Sequence, residues 1–247
     1  MKILLNLSFV GTAYCGWQSQ KNGKSVQEAV TKAANELFGT LCDVTGCSRT
    51  DSGVHANMYC ATVSPKSDIE ITVPIEKIPR ALNTFLPDDI SVSSANIVDD
   101  DFHPRYNAVA KEYIYKIHTR QERDAFLAGR VWFYPKKLDV EKMKLAAAKF
   151  IGKHDFSAFM AQGSKITDCE RTVFASEITV DGDMLTFRVE ADGFLYNMVR
   201  IMVGTLIDVG TGRFSPDDIT AIIEGRDRAK AGTTAPAEGL YLNRVKY

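Results

Sequence analysis

The first 98 residues alternate between strand-like and helix-like patterns in an order that few folds accommodate. Apolar residues at every second position of 2–10 predict a strand with one buried face. Ser25, with Glu28 three residues later, forms a capping box and predicts the start of a helix that Gly39 ends. Two strands around residues 46–56, a helix from 74 or 75 to about 85 and a strand at 90–97 follow. This order, β-α-β-β-α-β, predicts a ferredoxin-like α+β unit with an antiparallel sheet.

The second half carries similar patterns with longer connections. Asp181-Gly182 predicts a hairpin turn, and the apolar run 195–209 predicts a buried helix. The other predicted elements are strands at 108–118, 131–134, 172–180, 184–191 and 240–245, a helix at 139–150, and a helix that opens at Ser215-Pro216 and runs to about 224. We therefore predict two α+β domains, 1–104 and 105–247, with the crossing at 99–104.

The composition is that of a soluble globular protein. Of the 247 residues, 45% are hydrophobic and 25% are charged. No apolar run has the length of a membrane span, and the first ten residues show no signal-peptide cleavage pattern, so cytoplasmic residence is expected. The five cysteines form no Cys-x-x-Cys pair, which predicts free thiols and argues against a zinc site.

The overall charge argues mildly against nucleic-acid binding, since the net charge is −1 and the pI is about 6.4. The charges are unevenly distributed, however, because basic residues outnumber acidic ones between 103 and 153. A solvated helix face accounts for part of this run. A locally basic cleft on a near-neutral protein is also compatible with it.

The loop at 46–56 concentrates reactive side chains between two predicted strands. It reads Gly-Cys-Ser-Arg-Thr-Asp-Ser-Gly-Val-His-Ala and brings together a guanidinium, a carboxylate, an imidazole and hydroxyls. Arg49 and Asp51 have two interpretations: a surface turn with a local hydrogen bond, or part of a functional site. The composition of the loop does not choose between them.

This loop resembles the catalytic motif of the TruA-type tRNA pseudouridine synthases, Gly-Arg-Thr-Asp-Ala-Gly-Val-His. Ser48 and Ser52 stand where the family often has Gly and Ala, and Ser48 indicates that its backbone does not need a positive φ. Further segments that resemble the family, in the expected order over nearly the whole chain, are 11–18, 101–105, 111–115, 154–159, 197–204 and 235–242. On these segments the chain is identified as a member of the family.

The resemblance implies an isomerase that converts uridine to pseudouridine in the anticodon stem-loop of tRNA, at positions 38–40, without a cofactor or metal. It also implies two α+β halves joined around a central RNA-binding cleft, and a homodimer. Two alternatives stay open: a non-catalytic RNA-binding or chaperone protein on the same fold, and a synthase acting on another RNA. A hydrolase using Asp51 alone is disfavoured, because glycoside cleavage typically uses two carboxylates.

Three residues are implied to carry the chemistry. Asp51 is the nucleophile, since a carboxylate can attack, form a covalent intermediate and leave again. Tyr113 stacks on the extruded uracil and takes part in proton transfer. The alternative is that one of the two aromatic residues Tyr113 and Tyr115 belongs only to the core. Arg200 lies in the apolar run 195–209, where a charge is costly without a partner. We expect it to pair with Asp51, the alternative being that it reaches solvent.

Further residues are implied to bind the RNA. Arg49 either fills the gap left by the flipped nucleotide or holds its phosphate. His55 either touches RNA or orients backbone, and Trp17 either lines the RNA path or anchors its loop on the core. The predicted substrate-binding set is Tyr14, Trp17, Gln18, Arg49, His55, Arg105 and Tyr113, with Arg105 a candidate phosphate contact.

Overall fold

The computed structural model of the chain describes residues 1–21, 23–66, 73–164 and 166–247. These residues divide into two compact units, Met1–Val109 with Tyr241–Tyr247, and Ala110–Leu240. Both units mix helices with antiparallel strand pairs, so the α+β class predicted from the sequence is confirmed. No helix in the described ranges is long and apolar enough to cross a membrane.

The first unit contains the predicted order β-α-β-β-α-β. Its elements are β1 Lys2–Phe9, α1 Val26–Phe38, β2 Cys42–Gly46, β3 His55–Pro65, α2 Ile78–Asn83 and β4 Ile90–Val98. Strand β1 pairs antiparallel with β3 and with β4, and β2 pairs antiparallel with β3. The resulting strand order, β4-β1-β3-β2, is that of a ferredoxin-like unit. The sequence pattern predicted the order of elements along the chain but not this pairing order.

Local sequence explains the first strand and the first helix. Every second residue of β1 is buried, as a strand with one face on the core requires. The Ser25 side chain accepts a hydrogen bond from the backbone N–H of Glu28 at 3.2 Å. Gly39 ends α1 with φ +64°, a left-handed conformation that favours glycine. Both predicted ends of α1 are therefore present.

The last strand, β10 Leu240–Lys246, pairs parallel to β3, with Tyr241 opposite His55 and Leu242 opposite Ala56. The division into 1–104 and 105–247 drawn from the sequence thus differs from the observed units in two respects. The first unit continues to Val109, and 241–247 return to it. A pairing between strands so distant in sequence leaves no local pattern from which it could be predicted.

The second unit is built on four antiparallel strands in the order β5-β9-β8-β7, with β6 parallel to the end of β5. Its elements are β5 Ala110–His118, β6 Trp132–Phe133, α3 Val140–Ala148, β7 Gly152–Asp155, β8 Glu170–Asp181, β9 Met184–Ala191, α4 Met198–Gly210 and α5 Asp218–Gly225. The run β5-α3-β8-β9-α4, with β9 between β5 and β8, repeats the first five elements of the ferredoxin-like plan.

Three details of this unit differ from the sequence prediction. The short strand β7 was not predicted. The hairpin turn is Gly182-Asp183 rather than Asp181-Gly182, because Asp181 still pairs with Met184. Helix α4 begins at Met198 rather than at 195, because the preceding Asn197 has φ +60° and this left-handed backbone interrupts the helix.

Helix α4 is the buried helix that the apolar run predicted, since all its residues except Arg200 and Asp208 are buried. The segment after α5 packs directly on its backbone. A Cβ added at Gly204 would lie 1.7 Å from the carbonyl oxygen of Thr233, so no side chain fits there. The Thr205 hydroxyl accepts a hydrogen bond from the N–H of Gly232 at 2.9 Å, which fixes the same contact.

We expect Gly204→Ala to lower the free energy of unfolding by about 1–3 kcal/mol, because the added methyl group must displace backbone in a packed interior. Urea unfolding followed by circular dichroism measures this change. Gly225→Ala is the matched control: it also changes a helical glycine, but no heavy atom lies within 4 Å of the added Cβ. That control should stabilise the protein or leave it unchanged. Equal effects of the two substitutions would contradict the packing contact.

Candidate active site

The predicted catalytic loop connects β2 to β3 in the first unit and contains a tight turn. The backbone N–H of Val54 donates to the carbonyl of Asp51 at 3.2 Å, and Gly53 between them has φ +80°. This φ favours glycine, which explains the Asp-Ser-Gly sequence of the turn. Asp51 itself is partly exposed and sits at the first position of a turn of defined shape.

The segment 11–17 fixes this loop through hydrogen bonds to its main chain. The N–H of Gly53 and the hydroxyl of Ser52 both donate to the carbonyl of Tyr14, each at 3.2 Å. The N–H of Trp17 donates to the carbonyl of Thr50 at 3.3 Å. Because these bonds hold the residues on both sides of Asp51, the backbone that carries the carboxylate has little freedom to move.

Two glycines allow these segments to lie so close together. A Cβ at Gly16 would be 2.2 Å from the carbonyl oxygen of Thr50, and one at Gly11 would be 1.9 Å from that of Val54. Neither position can hold a side chain without moving the loop. The close approach of the two main chains therefore accounts for the glycines of the 11–18 segment.

Trp17 and Tyr59 form a buried aromatic pair behind the loop, with ring centroids 4.1 Å apart and planes at 24°. The Tyr59 hydroxyl donates to the carbonyl of Ser48 and lies 3.4 Å from the N–H of the same residue. Of the two interpretations of Trp17, its 3% exposure favours the one in which it anchors its loop on the core. The prediction that it lines an RNA path is not supported by this position.

His55 is fully buried at the end of the loop. Its Nδ1 accepts a hydrogen bond from the N–H of Gly11 at 2.9 Å, and its ring stacks on Tyr241 with centroids 4.5 Å apart. An accepting Nδ1 carries no proton, so the ring is the neutral tautomer protonated on Nε2. The structure thus gives His55 the backbone-orienting role, and its burial argues against the predicted RNA contact.

Tyr14 is also buried, and its hydroxyl donates to Oδ1 of Asp89 at 2.5 Å. Burial, and then the bond to the Asp89 carboxylate, raise the pKa of Tyr14 well above its ordinary value. Tyr14 therefore stays a neutral donor, and its carbonyl holds the catalytic loop. Like Trp17, it supports the loop instead of facing RNA as the sequence analysis predicted.

Of the four remaining predicted RNA-binding residues, three are exposed, namely Gln18, Arg49 and Arg105, and the fourth is Tyr113. Neither arginine forms an ion pair with another residue of the described ranges. The Arg105 guanidinium instead lies 5.7 Å from the ring centroid of Tyr106. These two cations are therefore not neutralised by a neighbouring carboxylate within the part of the chain that is described.

In the second unit, β5 positions the predicted stacking residue, Tyr113, opposite Val189 of β9. Tyr113 is 7% exposed, and its ring meets the edge of Phe194 at a centroid distance of 4.9 Å. Tyr115 is completely buried and donates its hydroxyl to the carbonyl of Pro236 at 2.7 Å. Tyr115 is therefore a core tyrosine of this strand.

Arg200 leaves the buried helix α4 in its first turn and is half-buried. Its Nε donates to the carbonyl of Ala235 at 2.7 Å, and its Nη1 donates to Oδ1 of Asn197 at 2.8 Å. The N–H of Ala235 donates back to the carbonyl of Arg200 at 3.0 Å. The guanidinium is thus held by its own unit, which argues against the alternative that it simply extends into solvent.

Comparisons with known proteins agree along nearly the whole chain. The family model described as tRNA pseudouridine synthase matches residues 7–107 and 146–247. The chain is 44% identical over 245 residues to tRNA pseudouridine synthase A of Thermoanaerobacter sp. (strain X514), which covers 99% of each chain. This chain belongs to the tRNA pseudouridine synthase family. Membership confirms the predicted enzyme class, an isomerase.

Two other relatives give the same result. The chain is 45% identical over 245 residues to tRNA pseudouridine synthase A of Acetivibrio thermocellus, again over 99% of each chain. It is 41% identical over 246 residues to the protein of that name from Staphylococcus carnosus (strain TM300), covering 99% of this chain and 90% of the relative. The likeness therefore extends over both units and is not confined to the motif around Asp51.

Ion pairs offset part of the positive charge of the basic run at 103–153 in this tRNA pseudouridine synthase. Several of its side chains lie 2.8–3.4 Å from a carboxylate, and these are Arg120, Lys142, Lys144, Lys149 and Lys153. All of these pairs are on the surface, and three of them involve lysines on or beside α3, whereas Lys153 belongs to β7. Part of the run is thus the solvated helix face that the sequence analysis allowed for.

Sequence reasoning missed two supports of the predicted catalytic residues of this synthase. One is Tyr59, whose hydroxyl holds the start of the Asp51 loop. The other is Arg188 of β9, which binds the carboxylate of Glu112 at 2.6 Å, immediately before Tyr113. A signal for the second existed, because Glu112 and Arg188 are charges that interrupt two otherwise β-favouring strands and prove to face each other.

We expect Tyr59→Phe to lower the free energy of unfolding by about 0.5–1.5 kcal/mol, since it removes the part-buried hydrogen bond from the Tyr59 hydroxyl to the carbonyl of Ser48. It should also lower kcat for pseudouridine formation several-fold, because the loop that carries Asp51 loses its fixed start. Ile3→Val, a fully buried change in the same unit, costs about 0.5–1.5 kcal/mol and touches no part of the loop. Equal kcat for the two variants would show that Tyr59 only stabilises the fold.

Proposed function

We propose that this synthase isomerises uridines of the anticodon stem-loop of tRNA, at positions 38–40, with Asp51 as nucleophile, Tyr113 against the target base and Arg200 as the partner of Asp51. The observation that carries the proposal is the full-length likeness to proteins named tRNA pseudouridine synthase A. The three residues are assigned from the segments of this sequence that resemble the family's motifs. By the same resemblance we propose a cytoplasmic homodimer. The reaction rearranges bonds within one nucleotide, so it requires neither redox change nor energy input.

Asp51 suits the nucleophile's role because it is partly exposed on a rigid turn. Its carboxylate attacks the nucleotide, and the bond between the ribose carbon and N1 of uracil breaks. The base turns, and C5 forms a bond to the same ribose carbon as the bond between that carbon and the Asp51 carboxylate breaks, which frees Asp51. The C5 proton is then lost, and N1 gains a proton. Fixing the turn before the substrate arrives lowers the entropy cost of this attack.

Tyr113 supplies the surface against which the extruded uracil is held. An enzyme that acts on a base must take it out of the helical stack, and an aromatic face replaces the lost stacking. Only 7% of Tyr113 is exposed, so a uracil reaches its ring only after a local opening around it. The contact with Phe194 holds the ring during that opening. The ion pair between Arg188 and Glu112 holds the neighbouring residue of the same strand.

Arg200 keeps Asp51 ionised in this proposal. A carboxylate covered by a bound base loses solvent, which raises its pKa and favours the unreactive protonated form. A fixed guanidinium opposes that shift. The hydrogen bonds from Arg200 to Ala235 and Asn197 occupy Nε and Nη1, and they set the direction of the guanidinium before the substrate binds.

The proposed RNA-binding residues are the exposed ones, Gln18, Arg49 and Arg105. Arg49 directly precedes Thr50-Asp51, so it lies beside the nucleotide that Asp51 attacks. Its guanidinium either fills the gap that the flipped base leaves in the stack or binds the phosphate of that nucleotide. Arg105 suits a phosphate farther along the RNA. Tyr14, Trp17 and His55 enter the mechanism only as supports of the loop.

The decisive experiment measures tritium release from C5 of tritiated uridines in a tRNA transcript. Asp51→Asn should lower release by roughly 10⁴-fold or more while binding persists. Asp88→Asn, which changes an exposed carboxylate of the same unit, should leave the rate unchanged. Replacing the uridines at 38–40 by cytidine should abolish the signal.

Other results of this assay identify the alternatives. Binding of tRNA without any release by the wild-type protein would indicate a non-catalytic RNA-binding protein. Free uracil among the products would indicate a hydrolase, and release from transcripts without uridines at 38–40 would indicate another target. Equal release by wild type and Asp51→Asn would exclude Asp51 as the nucleophile.

The role of Arg200 is tested by the pH dependence of kcat. Without the guanidinium the pKa of Asp51 rises, so the acid limb of the profile for Arg200→Met should move to higher pH, and Arg200→Lys should restore part of the shift. Arg228→Met is the control, because Arg228 also donates to a backbone carbonyl, that of Gly232 at 2.9 Å, and its loss costs stability alone. An acid limb that Arg200→Met leaves unmoved would rule out the ion pair.

A further inference from the structure

Tyr106 presents its aromatic ring to solvent beside the imidazole of His103 and the guanidinium of Arg105. Its exposed fraction is 75%, so at least one face of the ring is open. The imidazole of His103 lies 4.3 Å from its centroid at 37°, and the guanidinium carbon of Arg105 lies at 5.7 Å. All three residues belong to the first unit and follow β4. None of the roles assigned above uses this ring.

The loop that carries Tyr106 holds its own shape. The N–H of His103 donates to Oδ1 of Asn107 at 2.7 Å, and the N–H of Asn107 donates to the carbonyl of His103 at 3.0 Å. Nδ1 of His103 accepts a hydrogen bond from the backbone N–H of Arg105 at 3.1 Å and a longer one from the backbone N–H of Tyr106 at 3.4 Å. The backbone that carries the exposed ring is therefore fixed before any ligand binds.

Tyr247 also holds this loop in place. The Tyr247 hydroxyl donates to the carbonyl of Pro104 at 2.9 Å, and its ring packs on Phe102 with centroids 5.1 Å apart. Just after the loop, the N–H of Val109 donates to the carbonyl of Lys246 at 2.8 Å. Two independent sets of contacts thus hold the platform formed by His103, Arg105 and Tyr106.

A single exposed aromatic residue is ordinary, and its exposure alone indicates nothing. Here the backbone that carries the ring is held by hydrogen bonds, the ring is exposed, and it is adjacent to an arginine that forms no ion pair with any described residue. Stacking of bases on aromatic rings beside cations is how proteins hold unpaired nucleotides. The acidic run at 99–101 lies nearby in sequence, but Asp100 is within 3.7 Å of the N-terminal ammonium, which offsets part of its charge.

We propose that the platform binds an unpaired nucleotide of the tRNA, with the base stacked on Tyr106 and the phosphate held by Arg105. This inference rests on the proposed function, because it assumes that RNA is the substrate. It adds a second base contact, distinct from the one that Tyr113 makes with the target uridine. A protein ligand is the competing possibility, and it would be favoured if Tyr106→Ala left the binding of the tRNA transcript unchanged.

The test compares equilibrium binding of a tRNA transcript and of a fully paired RNA duplex, measured by fluorescence anisotropy. Tyr106→Ala should weaken transcript binding roughly 5- to 150-fold, the usual effect of losing one stacked base. It should leave duplex binding unchanged, because a paired base cannot stack on the ring. Tyr106→Phe should bind the transcript like wild type. Arg105→Gln should reduce the slope of log affinity against log salt by about one.

Phe174→Ala is the matched control and should bind like wild type. Phe174 is a half-exposed aromatic residue of β8, and no cation of the described residues lies over its ring. Unchanged transcript binding by Tyr106→Ala, or equal loss of duplex binding, would overturn the stacking role. Tritium release at saturating tRNA separates this failure from failure of the proposed function. Turnover with unchanged Tyr106→Ala binding overturns the platform alone, whereas a protein that binds no tRNA overturns both.

Discussion

The close approach of two backbone segments, 11–17 and 50–54, is the constraint on which the first unit's candidate site depends. It exists because Gly11 and Gly16 have no side chains, and because the carbonyls of Tyr14 and Thr50 accept hydrogen bonds across the gap. Such a contact defines the position of the main chain under Asp51 to within the tolerance of a hydrogen bond. Catalysis by a positioned nucleophile needs that accuracy, since small misplacements cost large factors in rate.

A contact made by main chain also explains why the loop accepts serine at two positions where the family often has smaller residues. Ser48 does not have a positive φ, and its N–H and carbonyl both face the hydroxyl of Tyr59. Ser52 adds a hydroxyl that donates to the carbonyl of Tyr14, alongside the N–H of Gly53. The second substitution therefore strengthens the contact that already holds the loop and leaves the carboxylate where it is.

The sequence predicted the fold well where the signal is local. Period-two burial in β1 and the caps at Ser25 and Gly39 depend only on neighbouring residues, and both are present in the structure. It predicted the support of the site poorly. Nothing near Trp17 or His55 in the sequence shows that Tyr59 and Tyr241 cover them, because that burial arises from strands that meet only in the folded chain. Polar and aromatic residues next to a reactive loop were therefore assigned to the RNA, although several of them hold the loop.

The distribution of charge sets how this near-neutral synthase can bind a polyanion. Ion pairs neutralise many of the lysines around α3, so attraction to RNA cannot come from that face as a whole. We propose that it comes from cations outside these pairs, such as Arg49 and Arg105, neither of which forms an ion pair with a described residue. If few cations contact phosphates, affinity should depend only weakly on salt concentration. Under this proposal, discrimination among RNAs depends on where unpaired bases meet exposed aromatic rings such as that of Tyr106, more than on the overall attraction of opposite charges.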